Sequence, residues 1–160
     1  MRTTLLAVFA LSSLLPVWGQ KYSGPRPPKS DVPYLLHATN LVATEVTEAK
    51  QQEGKKDSTT YYVAGAASPA KTPLAEPIFI MASEKIKADT IELYRFDVKN
   101  GRRELVLAQK RTRNGPRPLK LTVTKLEGGL YRLEAAETLE NGEYSLSPMG
   151  SDQVFCFQIF

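Results

Sequence analysis

The sequence predicts an all-β chain, an antiparallel sandwich or barrel of eight or nine short strands. Three observations carry this. Apolar and polar residues alternate with period two through most segments after Ile78; turn signals recur roughly every 8 to 12 residues; and no long segment has the 3.6-residue spacing of an amphipathic helix.

The chain opens "MRTTLLAVFALSSLLPVWGQ", with Arg2 ahead of an apolar run from Leu5 to Leu15, then Pro16 and a small residue, Gly19. That order matches a secretory signal peptide. The run is 11 residues long, where a membrane-spanning helix needs about 20. Residues 1–19 are therefore expected to be cleaved, with Val17 and Gly19 at the −3 and −1 positions and no transmembrane segment afterwards; an uncleaved N-terminal anchor is the rival reading. No cysteine adjoins the site to accept a lipid. Cleavage would lower the net charge from +4 to +3 through loss of Arg2, a weak basic balance that does not imply nucleic acid.

The remaining chain has one cysteine, Cys156, so it closes no internal disulfide, and its four asparagines form no N-x-S/T sequon. Exported eukaryotic domains of this size commonly carry a disulfide. The expectation is an exported bacterial protein, periplasmic or extracellular.

Residues 20–33 follow as a proline-rich arm, since proline fixes φ and removes a donor. Residues 34–160 are expected to form one domain, with an N-terminal hairpin in 34–68, a proline-rich loop in 69–77 and a main body in 78–160. In the hairpin, the alternating Val42, Thr44 and Val46 and the β-prone "TTYYV" flank the polar tip "QQEGKKDS". A short helix over Glu45 to Glu53 is the rival, because Glu, Ala, Lys and Gln are good helix formers.

In the main body "IFIM" reads as a short strand between prolines and a polar turn. "TIELYRFDV" and "RELVLAQ" flank Asn100-Gly101, a pair suited to a two-residue type I′ turn. That turn sets Val98 opposite Arg103, Phe96 opposite Leu105 and Tyr94 opposite Leu107, making one face largely apolar. "PLKLTVTKL" and "LYRLEA" flank Glu127-Gly128-Gly129. A three-residue loop there matches Val123 with Leu133 and Leu121 with Ala135, whereas a two-residue loop would oppose Lys125 and Arg132. "GEYSLSP" then points Tyr144 and Leu146 inward with Glu143 and Ser145 outward. In the closing "VFCFQIF", Phe155, Phe157 and Ile159 share the buried face and Cys156 takes the other. Counting back in twos from Phe160 gives Gln158, Cys156 and Val154, the weaker apolar set, so the segment lacks the phase of an outer-membrane barrel strand.

"LENGEYSL", Leu139 to Leu146, resembles the corner before the penultimate strand of immunoglobulin-like and fibronectin-type sandwiches. The resemblance implies an immunoglobulin-like antiparallel β-sandwich in which the Tyr144 phenol closes onto nearby backbone. Leu146 stands where antibody-type domains place their second cysteine, so the likeness is to the disulfide-free branch. The chain after residue 19 also resembles exported bacterial proteins with a proline-rich start and a "GEYSLSP…VFCFQI" end, a likeness that carries no activity with it.

Candidate chemistry is sparse. Cys156 and His37 invite a thiol and base reading, but the apolar neighbours Phe155 and Phe157 would raise the thiol pKa on burial. His37 has no partner at metal-ligand spacing. No nucleotide, zinc or calcium motif is present, so neither catalysis nor a cofactor is expected. The most distinctive feature is a basic stretch, Arg102, Arg103, Lys110, Arg111, Arg113, Arg117 and Lys120, interrupted only by Glu104. It could form a patch for an anionic envelope polymer or an acidic protein surface, or supply solvent-facing charges that blunt an edge strand. Sugar stacking would fall to Tyr61 and Tyr62, since the only Trp, Trp18, lies in the signal peptide. The expected role is a non-catalytic binding or structural module in the bacterial envelope, whose partner is an envelope protein or an anionic polymer.

Overall fold

The structure, a computed structural model, describes residues 21–55, 57–108 and 115–160; the expected signal peptide lies outside them. The described residues are all-β, with thirteen strands and one 3₁₀ turn, Ala88–Thr90. The strands are β1 (Tyr34–His37), β2 (Asn40–Ala43), β3 (Glu45–Glu48), β4 (Lys50–Glu53), β5 (Ser58–Ala64), β6 (Lys71–Thr72) and β7 (Ile78–Ala82). They continue with β8 (Ile91–Lys99), β9 (Arg102–Ala108), β10 (Leu121–Lys125), β11 (Leu130–Ala135), β12 (Gly142–Pro148) and β13 (Gln153–Ile159). Among the described residues no helix is long and apolar enough to cross a membrane.

Thirteen strands replace the expected eight or nine: β1 and β6 are added, and residues 40–53, extended even over Glu45 to Glu53 where the rival reading placed a helix, bend twice. One bend is Thr44, whose N–H and hydroxyl both donate to the Pro33 carbonyl at 3.3 and 2.8 Å. The other is Ala49, whose N–H donates to Asp152 O at 2.8 Å. The bends divide one long segment among three partners: β2 pairs with β1, β3 with β13, and β4 with β5.

Two sheets result. One has the order β10-β11-β7-β1-β2; the other runs β3-β13-β12-β8-β9-β5-β4, with β6 parallel beside β13. Both expected turns form. Asn100 and Gly101 have φ of 51° and 71°, the positive values a type I′ turn requires. Leu126 N–H meets Leu130 O at 2.8 Å around Glu127-Gly128-Gly129, and Val123 faces Leu133 with Leu121 facing Ala135.

The sheets enclose a shared apolar core, a sandwich-like arrangement. Leu35, Phe79, Met81 and Leu133 come from the first sheet, and Leu93, Leu146, Phe155 and Phe157 from the second. Phe157 lies at its centre, edge-on to Phe79 at 5.0 Å and stacked on Tyr144 at 5.5 Å. Tyr144 donates its phenol proton to Glu140 O at 2.7 Å, fixing the corner where the chain leaves β11 of one sheet for β12 of the other.

The second sheet also closes on itself. Its terminal staves, β3 and β4, are consecutive segments separated by Ala49 alone, so the path returns to its start as a barrel. The barrel interior holds a second apolar cluster of Ala49, Val63, Phe96, Leu105, Val154 and Cys156. Glu143 and Ser145, expected outward, are therefore buried at 3% and 1% exposure. They leave the sandwich core only to enter the barrel.

Two proline-rich segments are better anchored than expected. In the arm, Asp31 takes the N–H groups of Glu84, Lys85 and Ile86 on its carboxylate, and Val32 packs against the core. In the loop after β5, Gln158 N–H reaches Ala70 O and Phe160 N–H reaches Thr72 O, so the segment straps β13. Loop backbone at a buried position must find such partners or be left unsatisfied.

Candidate binding site in the barrel of the second sheet

Strand alternation decides what enters the barrel. Tyr94 and Phe96 on β8, Leu105 and Leu107 on β9, and Ser145 and Ser147 on β12 all lie two residues apart and line one cavity of about 410 Å³. The apolar face anticipated for the β8–β9 hairpin exists, but its register does not persist. Val98 pairs with Arg103 as expected and Asp97 with Glu104, but the ladder ends there. Leu105 instead faces Tyr61 of β5, and β8 receives Leu119 N–H on Leu93 O at 2.7 Å. The β8–β9 ladder ends at Asp97 and Glu104, and both strands line the cavity together with the β12–β13 turn.

The cavity lining combines an apolar set with two acidic residues. Tyr61, Tyr94, Phe96, Leu105 and Leu107 supply walls, while Glu92 and Asp152 stand among the lining residues. Glu92 Oε2 accepts the Tyr94 hydroxyl at 2.7 Å, and Asp152 Oδ1 accepts Gln51 Nε2 at 2.7 Å. Among the described residues, no lysine or arginine lines this cavity.

Deeper in the same interior lies a charge cluster. Arg103, 1% exposed, donates from Nη1 to Glu45 Oε2 at 2.6 Å and from Nη2 to Glu45 Oε1 at 3.0 Å. Its remaining donors reach Gly65 O at 3.0 Å and Ala64 O at 2.9 Å. Glu143 Oε2 lies 3.8 Å from Arg103 Nη1 and accepts the Ser68 N–H at 3.0 Å. Burial, the largest single effect, would push the Glu45 carboxyl up, but the hydrogen bonds from Arg103 and Ser68 and the Arg103 charge together hold the group below its ordinary value. Glu143 goes the other way: burial pushes it up more than the Ser68 N–H and Arg103 pull it down. Cys156, also facing this interior, is pushed by burial up to about 12, against the pull of Arg103.

Among the described residues of the basic stretch, Arg102 and Arg103 take separate places. Arg103 is internal and paired, so it leaves no guanidinium for a surface patch. Arg102 lies on the outer face, its Cζ 4.2 Å from the Tyr62 ring centroid and its Nε 3.0 Å from Glu104 Oε2. That contact covers Tyr62, while Tyr61 turns into the barrel mouth, so the two tyrosines do not form one stacking platform. Arg117 and Lys120 are exposed, and Lys110, Arg111 and Arg113 lie outside the described residues.

Cys156 and His37 stand on different sheets, the thiol in the barrel and the imidazole on β1. His37 Nε2 is 2.9 Å from Thr72 Oγ1, a hydroxyl on the strap after β5. The barrel interior was missed in the sequence because Glu143 and Ser145 look like solvent-facing positions. Its signal was the unbroken apolar run Val154-Phe155-Cys156-Phe157, since a strand buried on both faces loses its alternation. Comparison of the chain with protein-family models, with curated proteins and with solved structures gives no match.

Proposed function

We propose that the protein is an exported, non-catalytic binding module of the bacterial envelope, built on an immunoglobulin-like β-sandwich. The observation that carries the binding role is the cavity lined by β8, β9, β12 and the β12–β13 turn, a concave, mostly apolar site with a few polar groups, the usual character of a ligand pocket. Export rests on the signal-peptide pattern of residues 1–19 and the single cysteine. The immunoglobulin-like assignment is supported by the Tyr144 phenol closing onto Glu140 O at a crossover between sheets. The non-catalytic reading is supported by the separation of Cys156 from His37 and by the raised thiol pKa, which disfavours the reactive thiolate.

Fractionation of bacterial cells expressing the full chain tests export: a shortened mature protein in the periplasm or medium is expected, and an uncleaved cytoplasmic protein would refute it. Pull-down from an envelope fraction at low and high salt then separates two kinds of partner. Retention at high salt indicates a protein interface. Loss at high salt indicates an anionic polymer held by the exposed part of the 102–120 stretch, because exposed charges are screened.

A further inference from the structure

We propose that the barrel mouth binds a small amphipathic cation: an aromatic or aliphatic body of a few rings or branches bearing one ammonium or guanidinium group. The proposal rests on the binding-module reading above and names the ligand class of that cavity.

The size is right for a small molecule. About 410 Å³ falls within the range of roughly 300–1,000 Å³ typical of ligand sites. The walls divide by chemistry along each strand. Phe96 and Leu105 belong to the buried cluster, and Leu107 and Tyr94 pack against it in a half-buried setting. An apolar ligand body placed there would cover surface that now meets solvent, which is favourable in proportion to the apolar area removed. Tyr61 adds a ring face, whose negative quadrupole attracts a cation.

The polar groups have one sign. Glu92 and Asp152 are each oriented by a neutral donor, the Tyr94 hydroxyl and the Gln51 amide. A neutral donor fixes a carboxylate without cancelling its charge, and an ionised carboxylate has about four acceptor positions. No described cation lines the cavity to compete. An ammonium at the rim would therefore meet two carboxylates, whereas a carboxylate or phosphate ligand would be repelled by both. The hydroxyls of Ser145 and Ser147, 3.0 Å apart on the β12 wall, can each rotate to donate or accept.

The test uses three probes of one shape and different charge: naphthylmethylamine, naphthylmethanol and naphthoate, titrated into the purified protein by calorimetry at low salt. The amine is expected to bind roughly ten-fold tighter than the alcohol, with the anion weakest, for a partly screened carboxylate pair. The variant Glu92→Gln/Asp152→Asn keeps shape and hydrogen-bonding capacity. It should reduce the amine to the affinity of the alcohol while leaving the alcohol unchanged, a result that a misfolded variant would not give. Leu107→Lys, which places a cation in the mouth, should abolish amine binding with retained strand circular dichroism. Equal affinity for the three probes, tighter binding of the anion, no binding of any probe, or an amine preference that survives the double substitution would each overturn the proposal. The titration is independent of compartment. Its failure alongside successful envelope fractionation and pull-down would therefore discard the ligand class and leave the binding-module reading intact.

Discussion

Arg103 and Glu45, 58 positions apart in the chain, meet in a two-pronged ion pair inside the barrel, with 2.6 and 3.0 Å contacts. The pair joins β9 to β3, strands that are not neighbours in the sheet order. It therefore spans the barrel interior, and the guanidinium's other donors bind backbone carbonyls at the end of β5.

Removing one partner of a buried pair strands the other. Arg103→Ala leaves Glu45 and Glu143 facing an interior without a cation, and should cost about 3–5 kcal/mol of unfolding free energy. Replacing both members with apolar residues, Arg103→Met with Glu45→Leu, should cost much less than Arg103→Ala, because no charge is then left buried. Urea denaturation of the three proteins measures this. A loss below about 1 kcal/mol for Arg103→Ala would show that water reaches the site.

Glu143 gives the same cluster an opposite pH dependence. Its pKa is raised above 4.5 by burial, so the folded state holds its proton more tightly than the unfolded state. The stability it contributes is present below about pH 4.5 and is lost as pH rises through the raised value. Glu45, held low, contributes above the ordinary carboxylate range and loses that contribution as pH falls through its folded value. Glu143→Gln removes the first effect while keeping an acceptor for the Ser68 N–H. Its amide can also donate toward Gln158, its partner in register, whose Oε1 is buried without a partner among the described residues, as is Glu143 Oε1. The variant should melt higher than the parent at neutral pH, with the gain shrinking toward zero near about pH 4. A lower melting temperature at neutral pH would mean that the ionised form is the stabilising one.

The sequence was most informative where one strand face is buried and least where two are. The hairpin around Glu127-Gly128-Gly129 follows its expected register because Val123 and Leu121 have only one apolar face to satisfy. The Asn100-Gly101 turn was legible for the same local reason, yet the β8–β9 ladder stops at Asp97 and Glu104. Closure of a barrel is a long-range event that turn chemistry does not encode. Alternation likewise assigned Glu143 to solvent, because a glutamate opposite a core tyrosine normally faces water. Its burial is supported by the Ser68 N–H and by Arg103, both from distant segments of the chain. The cavity was half visible: its apolar wall could be read from Phe96, Leu105, Tyr94 and Leu107, but its enclosure by β4, β12 and the turn at Met149–Asp152 could not.

Cys156 should be chemically silent in the folded protein. It is 0% exposed, packed beside Val154 and Phe96, and its thiol is pushed by burial up to about 12. Thiol–disulfide exchange needs thiolate and access, so an aromatic disulfide reagent at about pH 8 should label the native chain only as fast as the protein unfolds. Labelling is then expected to accelerate with urea in step with the unfolding transition. Stoichiometric labelling within seconds in native buffer would place the thiol at an open surface and contradict the barrel closure.

Tyr144 separates two contributions that coincide at one corner. Its ring is stacked on Phe157 in the sandwich core, and its hydroxyl bonds Glu140 O while Arg95 lies 6.0 Å from the ring centroid. Tyr144→Phe retains the packed ring and deletes the bond, and should cost about 0.5–1.5 kcal/mol. Phe157→Ala removes a ring that also touches Phe79 from the opposite sheet, and should cost about 3–5 kcal/mol. The distinguishing quantity is local. Amide exchange between Leu139 and Gly142 should quicken in Tyr144→Phe more than exchange in β13, because the lost bond restrains the crossover rather than the core. Uniform acceleration across both strands would assign the phenol a global packing role instead.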